Sequence, residues 1–255
     1  EIFSHLIVLS NIREKLKKFK KKPKLFKGLK SKEIIKSLPF NLTDSQNKVL
    51  LEIEKDLQDV SRMFRIVQGD VGSGKTIVAF LAAANVVEAG YQCALMAPTE
   101  ILARQHFTLA EKIFQSKNIN IKFITGKTDY KEKKDILSQL KENKIDFIIG
   151  THSLFQKKVE FKKLGLIIID EQHKFGVKQR IELAKKGGDN CDVLLMSATP
   201  IPRTMIMTIY GDMDISKITE KPLRRKSIIT LAKPEEKINE VWPFIKKQIS
   251  NNNQI

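Results

Sequence analysis

The sequence predicts an α/β domain built on a mostly parallel β-sheet with helices on both faces. Three observations predict it. Short apolar runs alternate with helical segments from residue 64 onward, and the runs are continuous rather than alternating, as strands buried on both faces require. The polar and glycine-rich residues fall just after these runs, at the strand ends where parallel sheets hold ligands.

Residues 1–37 read as a basic helical linker from an upstream domain. Ile12, Leu16 and Phe19 recur at helical spacing beneath a basic outer face, and Pro23 and Gly28 mark a connector. Residues 1–40 carry twelve Lys or Arg against three Glu, about half of the chain's net charge of +17. Such an arm suits either a DNA-facing role or a solvated helix packed on a neighbour. The main domain is expected over 38–233, followed by a helix and linker over 234–255. Because the 255-residue chain opens on Glu1 and closes on an Asn run, it is expected to be a piece of a longer protein.

After Phe40, Thr43 reads as an N-cap and Gln46 as its capping-box partner, with Val49, Leu50, Ile53 and Leu57 on one helical face. Buried strands are then expected at 64–67, 93–97, 119–125, 145–150, 164–169, 193–197 and 227–231. Cys93 and Cys191 lie inside apolar runs and have no metal-site spacing, so buried thiols in a reducing compartment are expected. The longest apolar helix candidate, 77–87, is far too short to span a bilayer.

The loop after the first strand, Gly69-Asp70-Val71-Gly72-Ser73-Gly74-Lys75-Thr76, satisfies Gly-x-x-x-x-Gly-Lys-[Ser/Thr]. Its glycines let backbone N–H groups curl around phosphates, Lys75 reaches the β/γ oxygens, and Thr76 offers a hydroxyl to Mg²⁺. A strand before it and a buried helix after it aim a helix dipole at the same anion. A nucleoside triphosphate site is expected here.

The strand 164–169 ends in Asp170-Glu171. Two adjacent carboxylates repel unless a cation or a proton-transfer role compensates. Asp170 suits Mg²⁺ and Glu171 suits a general base acting on water, which points to hydrolysis rather than transfer to an acceptor. The net charge points to a polyanionic partner, or to a compositional bias of the source.

Taken together, the motifs resemble the first motor domain of superfamily-two helicases, with a RecA-like phosphate-loop fold. Longer strings resemble the bacterial RecG-type ATP-dependent DNA helicases: Gly69–Thr76, Met96–His106, Ile169–Val177 and Ser197–Thr204. The transcription-repair coupling translocases share much of this pattern, and Gln172 between Glu171 and His173 favours the RecG type.

The resemblance implies ATP and Mg²⁺ as cofactors, with Phe40 and Gln46 reading adenine. It implies that Pro98, Thr99, Arg104, Gln105, Thr125, Gly126, Thr151 and His152 track a DNA backbone with little sequence specificity. Gln172, His173, Ser197 and Thr199 would couple hydrolysis to DNA. It further implies a monomer in the bacterial cytoplasm, without membrane contact, acting on forked or branched DNA with a second motor domain and a wedge domain. The alternative for the chain by itself is a nucleotide- and DNA-binding module without turnover.

Overall fold

The computed structural model describes residues 20–115, 117–156, 158–170, 188–199, 213–220, 232 and 234–253. The chain divides into two units, 1–222 and 223–255. The first holds a seven-stranded sheet: β1 (Phe64–Gly69), β2 (Gln92–Met96), β3 (Ile121–Ile124), β4 (Phe147–Gly150), β5 (Leu164–Ile169), β6 (Asp192–Ser197) and β7 (Asp214–Ile218). Their order is β3-β4-β2-β5-β6-β1-β7, and every pairing among them is parallel. The predicted fold class is met. Because all seven run one way, their carboxyl ends form a single edge.

Successive residues of each strand face opposite sides, so each strand feeds two cores. On one side Val67, Leu95, Phe147 and Leu194 meet α1 (Leu29–Ser37), α2 (Asp44–Gln58), α3 (Lys75–Glu88) and α4 (Glu100–Phe114). On the other, Ile66, Ala94, Ile148 and Leu195 meet α5 (Tyr130–Lys141) and the segment around Leu154 and Val159. The Ala-rich α3 is buried almost throughout, since small side chains let it lie close to the sheet. Phe80 on α3 anchors this side, its ring 5.7 Å from Phe147 and 5.6 Å from Phe114.

Six predicted strands appear, β1 and β5 at their expected starts and the other four shifted by one or two residues. Ile119 and Ile145 are buried but precede β3 and β4, whose pairing begins where the Asn120 carbonyl accepts from both Asp146 and Phe147 N–H. The predicted strand at 227–231 lies outside the described residues. β7 was not expected: its sequence Asp214-Ile215-Ser216-Lys217-Ile218 is not an apolar run. Ser216 is buried there because its hydroxyl joins Arg65 of β1 and Glu52 of α2.

Residues 20–28, within the expected linker, run against this unit. Lys21 N–H donates to Val60 O at 2.7 Å and Lys24 N–H to Leu57 O at 3.0 Å. The two ammonium groups converge on Asp192 at the start of β6, Lys21 at 2.7 Å and Lys24 at 2.5 Å, with all three side chains sealed from solvent. Asp192 also accepts from Met63 N–H at 2.7 Å. Burial, together with the neighbouring Lys24, pushes the Lys21 ammonium below the ordinary lysine value against the pull of Asp192. Two of the arm's cations are therefore part of the core rather than of a solvated face.

In the second unit a 3₁₀ turn, Glu235–Glu240, runs into α6 (Val241–Ser250), which exposes Trp242 and Phe244. Among the described residues no helix is long and apolar enough to cross a membrane.

Candidate nucleotide and nucleic-acid site

β1 delivers Gln68 and Gly69 to the carboxyl edge, the loop turns over 70–74, and α3 starts at Lys75. Gly74 is the N-cap at φ +89°, a left-handed conformation that glycine adopts without penalty. A Cβ on Gly74 would lie 2.2 Å from Gln46 Nε2, so the glycine also makes room for that amide. No described side chain caps α3, which leaves the positive end of its dipole facing the loop.

Gln46 performs the capping expected of it. Its Oε1 accepts from Thr43 N–H at 2.9 Å, and Thr43 Oγ1 accepts from Gln46 N–H at 3.3 Å. Its Nε2 donates to Ser73 O at 2.7 Å, so a buried amide clips α2 to the phosphate loop. Phe40 is exposed. Glu220, beyond β7, accepts from the Ser45 backbone and hydroxyl at 3.0 Å each, and these hydrogen bonds hold its carboxyl below the usual range.

Lys75 Nζ donates to the carbonyls of Gly69 at 2.7 Å and Asp70 at 3.0 Å, so its ammonium lies across the loop mouth. Ser73 Oγ is buried and, among the described residues, has no hydrogen-bond partner, an arrangement that ordinarily marks a missing acceptor or donor. Asp70 and Val71 stay exposed, and Gly72 turns at φ +76°. An uncapped helix end, an orphaned hydroxyl and a poised ammonium fit a polyphosphate.

Asp170 stands just past β5. Its N–H donates to Met96 O at 2.9 Å, and its Oδ2 lies 2.7 Å from His106 Nε2 of α4, both side chains about one-tenth exposed. Glu171, Gln172 and His173 lie outside the described residues.

Of the expected DNA-tracking residues, Pro98, Thr99, Thr125, Gly126, Thr151 and His152 follow strand ends on the carboxyl edge and Arg104 and Gln105 lie in the second turn of α4, with different exposures. Thr99, Arg104, Gln105, Gly126 and His152 are exposed, Pro98 and Thr151 half-buried, and Thr125 buried. Thr99 Oγ1 caps α4 by accepting from Leu102 N–H, and Thr125 Oγ1 accepts from Lys127 N–H, both at 3.3 Å. Their hydroxyls hold local turns. Arg104 stacks on Phe123, 4.8 Å from the ring centre, and Glu100 bridges Arg104 at 3.7 Å and Lys127 at 3.3 Å.

Past β6, the hydroxyls of Ser197 and Thr199 are 3.0 Å apart, and Gln68 Nε2 donates to Thr199 O at 3.0 Å. That contact ties the Ser197–Thr199 turn to the strand that carries the phosphate loop. Neither Gln68 nor His106 was assigned a role from sequence. His106 did carry one signal, its place on the buried face of α4 with Ala103 and Ala110.

The DEAD/DEAH box helicase family profile matches residues 43–208. The chain is 45% identical over 254 residues to the ATP-dependent DNA helicase RecG of Thermotoga maritima, covering 100% of this chain and 32% of that protein. It is 49% identical over 219 residues to the RecG of Streptococcus pneumoniae, covering 86% and 32%. It thus spans about a third of the length of these curated relatives. A structure of RecG bound to a three-way DNA junction superposes with a TM-score of 0.86 at 42% identity, over 98% of this chain and 34% of that one. The DEAD-box helicase Mss116 bound to single-stranded RNA superposes at 0.63 with 19% identity, over 88% and 51%, a likeness of RecA-like fold alone. The phosphate loop, the carboxylate at the end of β5 and the family profile agree: this chain belongs to the DEAD/DEAH box helicase family.

Proposed function

We propose that this chain is the ATP-binding motor half of an ATP-dependent DNA helicase that remodels branched DNA such as stalled forks and four-way junctions. The observation that carries the nucleotide reading is the loop itself: an uncapped helix start, the orphaned Ser73 hydroxyl and Lys75 share a sheet edge with Asp170. Similarity to RecG along the whole chain supports the branched-DNA reading.

ATP with Mg²⁺ supplies the phosphoanhydride whose hydrolysis drives movement along DNA. The backbone of Gly69–Thr76 and the start of α3 would receive the phosphates, and the Lys75 ammonium, which here reaches the Gly69 and Asp70 carbonyls, would bind phosphate oxygens. Thr76 and Asp170 would hold the cation. Glu171 accepts a proton from the attacking water. Gln46, with Phe40, reads the adenine when its amide, which in this structure is held by Thr43 N–H and Ser73 O, turns its donor and acceptor to that edge.

Thr99, Arg104, Gln105, Gly126, Thr151 and His152, with Pro98, face the DNA backbone, and the buried Thr125 holds the turn that presents Gly126, which gives contact without base readout. Gln172, His173, Ser197 and Thr199 relay hydrolysis to that track. A second motor domain supplies the arginine finger and a wedge domain splits the fork. The protein acts as a monomer in the bacterial cytoplasm.

The test is nucleotide binding and steady-state ATP turnover by this chain, with and without forked DNA, using Lys75→Ala as the blank. We expect saturable binding that Lys75→Ala removes, and negligible turnover by this chain alone. Equal binding by Lys75→Ala would refute the site, and robust DNA-stimulated turnover would refute the two-half motor.

A further inference from the structure

Asp170 is held twice by one stretch of chain. Its backbone N–H donates to Met96 O at the end of β2, and its carboxylate meets His106 in α4. Between these anchors lies the segment Pro98–Gln105, which carries more than half of the residues proposed to touch DNA. We propose that His106 is a positioning residue for the cation-holding carboxylate of Asp170, and that this contact links the DNA-facing end of α4 to the metal site. The proposal rests on the nucleotide reading given above.

The physical case is one of constraint. His106 is nine-tenths buried, and its ring packs edge-on to Phe80 of the phosphate-loop helix, 6.5 Å away with the planes at 70°. The imidazole thus sits between α3 and Asp170 with little freedom to turn. A carboxylate that ligates a cation is ionised and accepts, so Nε2 is the donor in this 2.7 Å contact. Fixing one carboxylate oxygen selects one side-chain rotamer, and partners of this kind are worth about 10- to 100-fold in metal affinity.

The contact also joins two surfaces mechanically. Arg104 is two residues before His106, and in this structure its guanidinium and the Lys127 ammonium share Glu100. A DNA phosphate that draws these cations from Glu100 acts on the same helical turn that holds His106. Because coupling between sites is reciprocal, forked DNA and the bound cation must then change each other's affinity through this residue.

The test measures Mn²⁺ affinity by electron paramagnetic resonance on the 255-residue chain saturated with a non-hydrolysable ATP analogue, with and without forked DNA, alongside melting temperature. In the parent sequence we expect DNA to shift Mn²⁺ affinity about fivefold. In His106→Ala we expect Mn²⁺ affinity to fall at least tenfold, the DNA shift to vanish, and metal-free affinity for the analogue to stay within twofold. His106→Gln, whose amide reaches the same oxygen, should recover most of the Mn²⁺ affinity.

Unchanged Mn²⁺ affinity in His106→Ala overturns the positioning role. An equal loss in His106→Ala and His106→Gln also overturns it, since packing rather than the hydrogen bond then matters. A DNA shift that is absent from the parent, or persists in His106→Ala, overturns the link to the DNA-facing end. Absence of metal-dependent analogue binding in the parent sequence overturns the nucleotide reading itself, a result distinct from the first three.

Discussion

Asp192→Ala is the perturbation whose magnitude the structure constrains best. The carboxylate lies at the amino end of β6, away from the nucleotide edge, and satisfies three buried donors: Lys21, Lys24 and Met63 N–H. Truncation leaves two ammonium groups and one amide in a sealed pocket. Breaking a buried ion pair on one side costs about 3–5 kcal/mol and orphaning a buried amide about 1 kcal/mol more, so we expect a loss of about 5 kcal/mol. With a urea dependence of about 3 kcal/mol per molar for a domain of this size, the midpoint falls by between about 1 and 2 M.

Urea titration followed by far-ultraviolet circular dichroism measures this, with nucleotide affinity of the still-folded variant expected to match the parent. The companion variant Lys21→Met/Lys24→Met/Asp192→Leu replaces the cluster by apolar groups and should return to within about 1 kcal/mol of the parent, because desolvation then no longer opposes burial. A loss below about 1 kcal/mol in Asp192→Ala would refute the reasoning. It would mean that the cluster is solvated and that residues 20–28 do not belong to the core.

Three further outcomes are expected. Gly74→Ala forces a φ of +89° on an L side chain and drives a methyl into Gln46 Nε2, so it should weaken nucleotide binding at least tenfold, read by fluorescence titration. The left-handed conformation alone costs about 1–2 kcal/mol. Glu171→Gln in the intact gene product should keep nucleotide binding and stop hydrolysis, and normal turnover would remove the general-base role. Both cysteines should resist a thiol reagent at pH 8 until guanidinium unfolds the chain. Burial pushes the Cys191 thiol up to about 12 and that of Cys93 well above its ordinary value.

The candidate site was legible where its residues are consecutive. Gly69–Thr76 needs a glycine at each tight turn and a lysine and hydroxyl at set offsets, so the pattern shows in the string itself. The capping box of Thr43 and Gln46 was legible for the same reason, its two hydrogen bonds spanning three residues. Contacts between distant segments were not. His106 and Asp170 are 64 residues apart, Gln68 and Thr199 131 apart, and nothing in either neighbourhood names the other. The Ser73 carbonyl that occupies Gln46 Nε2 was likewise invisible, since it depends on where α2 docks.

By itself the sequence determined the parallel α/β architecture, the glycine-rich loop between β1 and α3 and the edge on which the motifs gather. Local hydrogen bonding and strand-length apolar runs are written residue by residue, and a parallel sheet puts all its strand ends on one side. Only tertiary structure decided that a charged strand, β7, completes the sheet, that two lysines of a basic arm are buried, and that His106 meets Asp170. Each depends on a partner far along the chain that makes a polar group tolerable away from water, and burial of charge is set by that partner rather than by the residue.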